Sequence, residues 1–273
     1  MDKKDTDVIL RVENLRIKFP DLTVAENESF YVKKGEVVII LGDNGTGKSS
    51  LLKSLIMTPD IKKYASRDLY FNGKRISGNV NARKGIFKKI RFSWDTELNE
   101  FRRSIGYSMQ EDEDDPLFSR KVRDYVLEYA ESAIDNTGYL DYYDKLFNDY
   151  LKCSIYEKGK LNEKHLNVCS GGQKKIVSIL KAFSRNNSKL FILDEPINNL
   201  DSKHARILNN FLIDLKKSDD PPAILIVTHC HMFQSVDRAY EIKNGKLVLL
   251  EKYEPKSCFG ECDSCGYYKE EKR

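Results

Sequence analysis

The feature of this sequence that most constrains its fold is a glycine-rich loop set between a strand and a helix. The loop covers residues 42–49 with the sequence GDNGTGKS, which matches the pattern G-x-x-x-x-G-K-[ST]. An apolar run, VVIIL, precedes it at 37–41, and a segment with helical spacing, SLLKSLI, follows at 50–56. In this setting the loop amides face inward around phosphate groups, and the helix adds the positive end of its dipole. We therefore predict an α/β fold that binds a nucleotide at this loop.

The polar residues of this loop have predicted roles. The Lys48 side chain is long enough to reach the β- and γ-phosphates, where its charge also makes it a catalytic residue, and the Ser49 hydroxyl suits Mg²⁺. The alternative, a glycine turn without a ligand, leaves the flanking strand and helix unexplained. The predicted nucleotide-binding residues of this segment are Asp43, Asn44, Gly45, Thr46, Gly47, Lys48, Ser49 and Ser50.

A second apolar run ends in two adjacent carboxylates. Residues 190–195 read LFILDE, which is typical of a buried strand of a parallel sheet. Ligands of open α/β sheets bind at the carboxyl ends of such strands. We predict that Asp194 ligates Mg²⁺ and that Glu195 orients the attacking water as a catalytic base. A strand that simply ends in a solvated acidic turn is the alternative, and it would be preferred if no phosphate loop preceded it.

A third segment places small polar residues at the start of a helix. Residues 169–175 read CSGGQKK, and apolar residues then recur at helical spacing through residue 183. Ser170 and the two glycines after it therefore lie at a helix N-terminus, which is a second site suited to an anion. One nucleotide rarely needs two such sites from a single subunit.

These three segments, in this order, resemble the ATP-binding-cassette (ABC) ATPases, whose signature is Leu-Ser-Gly-Gly-Gln. In that family two subunits enclose two ATP molecules, each between the phosphate loop of one subunit and the signature of the other. The resemblance implies that Ser170, Gly171, Gly172 and Gln173 bind nucleotide across this interface. Cys169 replaces the usual leucine, a change that concerns local packing more than phosphate contact.

The resemblance, which runs from about residue 9 to 250, implies four further site residues. Gln110 matches the glutamine that joins Mg²⁺ or water to the helical subdomain, and His229 matches a catalytic histidine that contacts the γ-phosphate. Asp201 matches the loop that crosses the dimer interface. Phe19 lies where the family places an aromatic ring stacked on adenine, more often a tyrosine.

The family's architecture follows from the same resemblance. It implies an α/β P-loop NTPase core with a mostly parallel sheet, an N-terminal antiparallel β subdomain and a helical subdomain at about 111–175. The cassette would cover residues 1–250 and leave a cysteine-rich tail at 251–273. The residue pattern itself predicts antiparallel strands at 8–12 and 30–32, a strand and turn at 69–73, and a closing hairpin at 240–248. It predicts helices at 121–133, 140–151 and 207–215.

Composition sets limits on the setting. The formal net charge of +4, from 46 basic and 42 acidic residues, is nearly balanced and by itself argues neither for nor against nucleic acid. No direct nucleic-acid partner is among the expected partners. No stretch approaches 18 consecutive apolar residues, and the polar start is unlike a secretory signal. Six cysteines without such a signal indicate a reducing cytosol. Together with the resemblance, this predicts a cytoplasmic protein held at the inner face of the cell membrane.

The predicted function is ATP hydrolysis by a dimer that drives a membrane permease, with ATP and Mg²⁺ bound. Because the sequence holds one cassette, the partner is a second chain, in a homodimer or a heterodimer. The permease would be a separate polypeptide that selects the cargo. The alternative is a soluble ABC ATPase of a cytosolic assembly or repair complex. A regulatory module without activity is a third class, but Glu195 argues against it.

Two charged segments depart from a compact cassette. Residues 83–94, within an apparent insertion at 79–98, mix basic residues with Ile, Phe and the only Trp. This pattern suits a membrane surface or nucleic acid, or a solvated excursion of the chain. Five acidic residues follow Gln110 at 111–115. They are a solvated run or a docking segment for a basic helix of the permease.

The tail contains three closely spaced cysteines, Cys258, Cys262 and Cys265. Such spacing allows convergence on one metal, and zinc would take Cys230 or His231 as its fourth ligand. An iron–sulfur cluster and thiols on a loose tail are the alternatives.

Overall fold

A six-stranded sheet forms the centre of the molecule. The computed structural model describes residues 7–58, 60–76, 96–109, 119–131, 142, 145–146, 158–185 and 187–256. The strands are β1 Val8–Lys18, β2 Thr23–Lys33, β3 Val37–Leu41, β4 Ala65–Phe71, β5 Lys74–Ile76, β6 Ile105–Ser108, β7 Leu190–Asp194, β8 Ala223–Thr228, β9 Arg238–Lys243 and β10 Lys246–Leu249. The central sheet has the order β10-β9-β3-β8-β7-β6, and all its neighbours are parallel except β9 and β10.

The central strands are apolar on both sides because both faces of this sheet are covered. Along β3, Val37, Ile39 and Leu41 belong to one core cluster, whereas Val38 and Ile40 belong to the other. Every residue of β3, β7 and β8 is buried. The period of two in side-chain direction therefore divides each strand between two cores.

The described helices are α1 Lys48–Ile56, α2 Thr96–Arg103, α3 Val122–Glu131, α4 Lys158–Asn162, α5 Gly171–Phe183 and α6 Ser202–Lys216. Residues of α3, α5 and α6 pack in the first cluster, and residues of α1 and α2 pack in the second. A second sheet, of order β2-β1-β4-β5 and antiparallel throughout, packs in the second cluster as well.

The predicted fold class is confirmed, since a mostly parallel core carries an antiparallel N-terminal sheet. The hairpin of β9 and β10 turns at Asn244 and Gly245, both with positive φ, as the Asn-Gly pair indicates. The predicted helices at 121–133 and 207–215 correspond to α3 and α6, while the segment 140–151 lies mostly outside the described residues. The predicted subdomain boundaries stay a prediction.

None of the helices within the described ranges has the length and apolar character that crossing a bilayer requires.

Candidate nucleotide-binding and catalytic site

Three of the predicted site segments meet at one edge of the central sheet. The glycine-rich loop follows β3, the two carboxylates end β7, and His229 follows β8. These three strands are neighbours in the order β3-β8-β7, so their carboxyl ends lie side by side. This edge is where open α/β sheets bind their ligands.

The glycine-rich loop 42–49, hereafter the P-loop, is held by close packing at its end. Gly47 has φ +93°, and a Cβ atom built there would lie 2.2 Å from a Val24 methyl carbon. Any side chain at this position would therefore clash with β2 as well as strain the backbone. Gly45 also has positive φ, +84°. The tip residues Asp43, Asn44 and Gly45 are exposed, whereas Thr46, Ser49 and Ser50 are partly buried.

Lys48 is the first residue of α1, and its ammonium group is buried in the site. Its Nζ donates to the carbonyl oxygens of Gly42 at 2.8 Å and Asp43 at 2.9 Å. It also lies 3.1 Å from Oε1 of Glu195. The ammonium thus links the P-loop directly to the acidic end of β7.

Glu195 is the best-connected residue of the site. Thr228 Oγ1 donates to its Oε2 at 2.8 Å, and His229 Nδ1 lies 3.0 Å from the same oxygen. Burial alone would raise the pKa of this carboxyl, but these hydrogen bonds and the His229 and Lys48 charges outweigh it and leave the pKa below its usual value. The backbone of Glu195 adopts φ +43°, which turns the chain sharply at the end of β7. Glu195 is therefore an ionised, firmly held carboxylate at neutral pH.

Asp194 is buried at 2% exposure and is electrostatically different from its neighbour. Burial raises the pKa of its carboxyl, and the Ser49 hydroxyl and the Lys175 and Lys48 charges offset this only in part. Within the described residues, its Oδ1 is buried with no hydrogen-bond partner. A buried carboxylate oxygen beside a serine hydroxyl is the donor set that Mg²⁺ prefers, so these residues fit the ion.

The raised pKa of the buried Asp194 carboxyl predicts an effect on stability. A carboxyl whose pKa is higher in the folded than in the unfolded chain lowers the free energy of unfolding at neutral pH. Asp194→Asn in metal-free buffer at pH 7 should therefore raise Tm by about 2–5 °C while impairing Mg²⁺-dependent hydrolysis. Thermal denaturation followed by circular dichroism measures this change.

Asp220 provides the matched control of opposite sign. Hydrogen bonds from Lys189 and Lys34 lower the pKa of this exposed carboxyl to about 2, so Asp220→Asn should lower Tm slightly or leave it unchanged. A lower Tm for Asp194→Asn than for the unmodified protein would contradict the assignment of a destabilising charge at Asp194.

The signature segment begins α5 as its sequence predicts. Ser170 is the N-cap: its side chain accepts from Gln173 N at 3.3 Å, and Ser170 N donates to Gln173 Oε1 at 3.2 Å. In this capping box the buried Gln173 side chain is hydrogen-bonded within its own helix, to the backbone of the N-cap residue. Ser170 and Gly171 are exposed, and a Cβ atom on Gly172 would lie 2.8 Å from the Asn199 carbonyl oxygen. The N-terminus of α5 therefore faces outward beside the loop that precedes α6.

Three contacts that α5 makes with the ends of β7 and β6 were not predicted. Lys175 Nζ donates to the Asp194 carbonyl oxygen at 3.0 Å. Ser178 Oγ lies 2.8 Å from Ser108 Oγ and donates to the Met109 carbonyl oxygen at 3.3 Å. The signature helix is thus joined to the end of β7 and to the residue before Gln110. Gln110 itself lies outside the described residues.

The structure also describes two further predicted residues, Phe19 and Asp201. Phe19 is partly buried and packs on the Tyr64 ring, with 4.6 Å between centroids. Asp201 is the N-cap of α6 and accepts from His204 N at 2.8 Å. Its side chain is 61% exposed, so it is accessible to a second subunit.

The predicted metal site of the tail lies outside the described residues, because Cys258, Cys262 and Cys265 are not among them. Of the two predicted fourth ligands, Cys230 is buried in the first core cluster. His231 is partly buried and stacks on Tyr253, with 5.8 Å between ring centroids. Within the described ranges, no group of three or more His, Cys, Asp or Glu is arranged to hold a metal ion.

Comparison with known proteins agrees with the family resemblance of the sequence motifs. The family model described as ABC transporter matches residues 25–198. A putative ABC transporter ATP-binding protein of Methanocaldococcus jannaschii is 31% identical over 254 residues, which cover 89% of this chain and 80% of that protein. The galactose/methyl galactoside import ATP-binding protein MglA of Clostridium perfringens is 27% identical over 257 residues. These cover 91% of this chain and 44% of MglA, so the chain spans less than half of that relative.

Solved structures of similar chains share the fold. The structure of cbiO1 from Clostridium perfringens, part of the ABC transporter complex cbiONQ, is 27% identical with a TM-score of 0.62. The match covers 89% of this chain and 88% of cbiO1.

Proposed function

This chain belongs to the ABC transporter family and is an ATP-binding-cassette ATPase, and from that premise we propose that it works as a nucleotide-sandwich dimer driving a separate membrane permease. The observation that most supports the dimer is the orientation of α5. Lys48, Glu195 and His229 converge at the sheet edge, whereas Ser170 and Gly171 are exposed at the N-terminus of α5. A helix N-terminus that faces outward is suited to the nucleotide of a second subunit.

In this proposal each residue of the half-site acts by position and charge. The P-loop amides and Lys48 neutralise the triphosphate, which is the main requirement of phosphoryl transfer. Glu195, ionised and held by Thr228, orients and deprotonates the attacking water. His229, hydrogen-bonded to Glu195 through Nδ1, keeps its other ring nitrogen available to the γ-phosphate. Ser170 and Gly172 of the second subunit complete the enclosure.

Mg²⁺ fits the Ser49 and Asp194 oxygens, with Gln110 as a further predicted ligand, and when bound it would neutralise phosphate charge. The contacts of Lys48 indicate how substrate engages the site. Its ammonium contacts both P-loop carbonyls and Glu195. A γ-phosphate offers it a stronger anionic partner, so binding of the triphosphate draws Lys48 from Glu195 and leaves that carboxylate for water.

The permease partnership rests on the family membership and on the names of relatives such as the MglA import protein. The proposal expects the neighbouring reading frame to encode a multi-helix membrane protein. Co-expression of that protein with the tagged chain should give a complex that co-purifies in detergent and places the chain at the cytoplasmic face of the membrane. The proposal would be contradicted if the chain remained in the soluble fraction and if the membrane protein did not change its rate of ATP hydrolysis. That result would favour the soluble assembly complex instead.

The cysteine tail is a separate part of the proposal. Zinc bound by Cys258, Cys262 and Cys265 would be structural, with His231 a more accessible fourth ligand than the buried Cys230. Elemental analysis of the purified full chain tests this directly: stoichiometric zinc supports the site, and its absence would contradict it.

A further inference from the structure

Phe19 has a second aromatic ring packed against it, from a part of the chain that no motif marks. The Tyr64 ring lies 4.6 Å from the Phe19 ring between centroids, at an interplanar angle of 39°. We infer that Tyr64 is a positioning residue for the nucleobase, because it holds the Phe19 ring in place to stack on the base. The inference rests on the proposed function, since it concerns the nucleotide bound at the P-loop.

The turn that contains Phe19 lies at the P-loop end of the antiparallel sheet. Phe19 N donates to the Leu22 carbonyl oxygen at 2.8 Å, which closes the turn between β1 and β2. Two residues beyond that turn, Val24 packs against Gly47, where it leaves no room for a Cβ atom. The turn that carries the Phe19 ring is therefore connected to the end of the P-loop through the first residues of β2.

The backbone of Tyr64 is fixed to the same strand that carries Phe19. Lys18 N donates to the Tyr64 carbonyl oxygen at 2.9 Å, and the next residue, Ala65, pairs with Ile17 in the ladder between β1 and β4. A further bond, from Tyr64 N to the Ile61 carbonyl oxygen at 2.9 Å, closes the turn before β4. Both rings are thus attached to one end of β1, which fixes their relative position.

Part of the Phe19 side chain remains accessible to a ligand. The Tyr64 ring packs against the Phe19 ring in a tilted arrangement, and Phe19 is still partly exposed. On the Tyr64 ring, the Lys63 ammonium lies 4.7 Å from the centroid. The Tyr64 ring is therefore occupied by Phe19 and by a cation, so it supports the stack and Phe19 contacts the base.

This geometry predicts a contribution to binding of the base and none to binding of the phosphates. Aromatic stacking uses the π face that every base presents, whereas the triphosphate is held by the P-loop. Removing the Tyr64 ring should weaken ATP binding about 3- to 10-fold, which is the range expected for one aromatic pair. Binding of inorganic tripolyphosphate, which has no base, should stay unchanged.

The experiment compares ATP and tripolyphosphate by isothermal titration calorimetry on the full chain. Tyr64→Leu keeps apolar volume but removes the ring, and Tyr64→Phe keeps the ring and should restore ATP binding. Tyr70→Leu is the matched control, since it removes a partly buried tyrosine from β4, six residues further along the chain. Of the three variants, only Tyr64→Leu should bind ATP more weakly than the unmodified chain. Its affinity for tripolyphosphate should be unchanged.

Unchanged ATP affinity in Tyr64→Leu would overturn the inference. Equal loss of ATP and tripolyphosphate would overturn it too, because Tyr64 would then support the P-loop or the fold and not the base. If the unmodified chain bound neither ligand, the proposed function itself would be wrong, and the inference with it.

Discussion

Glu195→Gln should leave ATP binding intact while hydrolysis falls by at least about 100-fold. The amide keeps the size of the side chain and can still accept from Thr228 Oγ1, which donates to the carboxylate at 2.8 Å. It cannot take a proton from water, and loss of a general base reduces turnover by about 10²–10⁴. Phosphate release measures hydrolysis, and calorimetry measures binding.

The same variant should accumulate as an ATP-bound dimer that size-exclusion chromatography detects. Glu163→Gln is a suitable control, because Glu163 is an exposed glutamate paired with Lys121 at the surface, and its activity should match that of the unmodified chain. Hydrolysis near the normal rate by Glu195→Gln would show that Glu195 is not the base.

Lys48→Ala should instead lose nucleotide affinity by about 10- to 100-fold. Its ammonium is the buried cation of the P-loop, where it contacts Gly42 O, Asp43 O and Glu195. Hydrogen bonds between a charged donor and an anion contribute about 1.5–3 kcal/mol each, which corresponds to that range of affinity. Titration with ATP in the presence of Mg²⁺ gives the dissociation constant.

A second lysine of the same helix separates this effect from a general loss of charge. Lys53 lies in α1, is partly exposed and pairs with Asp60 at 3.0 Å, so Lys53→Ala should bind ATP normally. If both lysine variants lost affinity equally, the effect would belong to α1 as a whole and not to the P-loop ammonium.

The parts of the site that the sequence predicts are those encoded by contiguous segments. The P-loop at 42–49 is a local turn whose glycines and flanking strand are neighbours in the chain, and the capping box of Ser170 and Gln173 spans one helical turn. The apolar run that ends in Asp194 and Glu195 likewise indicates a buried strand that delivers two carboxylates to the site.

The contacts that the sequence does not predict join distant segments. Lys175 reaches the Asp194 carbonyl oxygen, and Ser178 meets Ser108, only because α5 packs beside β6 and β7. Likewise, Tyr64 meets Phe19 because the ladder between β1 and β4 brings them together. A single Lys, Ser or Tyr has no local pattern that distinguishes such a role from an ordinary surface position.

The extent of β1 was also not predicted in full. The pattern indicates a strand at 8–12, but β1 continues to Lys18. In its second half, exposed polar residues alternate with buried ones, and the pairing of β1 with both β2 and β4 shifts register around Asn14, which has φ +52°. A bulge changes the phase of the alternation between apolar and polar residues by which a strand is recognised in a sequence. The alternation therefore predicts the strand only up to the point where the pairing shifts.

The central claim, that each reaction site combines the P-loop of one subunit with the signature of another, is tested most directly by mixing two inactive variants. Ser170→Arg blocks the signature and Glu195→Gln removes the base, so each variant alone should be inactive. A dimer that contains one of each has a single site with an intact P-loop half and an intact signature half. With random pairing, hydrolysis should return to about a quarter of the normal rate. If such mixed dimers form and remain inactive, the signature of one subunit does not complete the site of the other. Shared sites between subunits would then be contradicted.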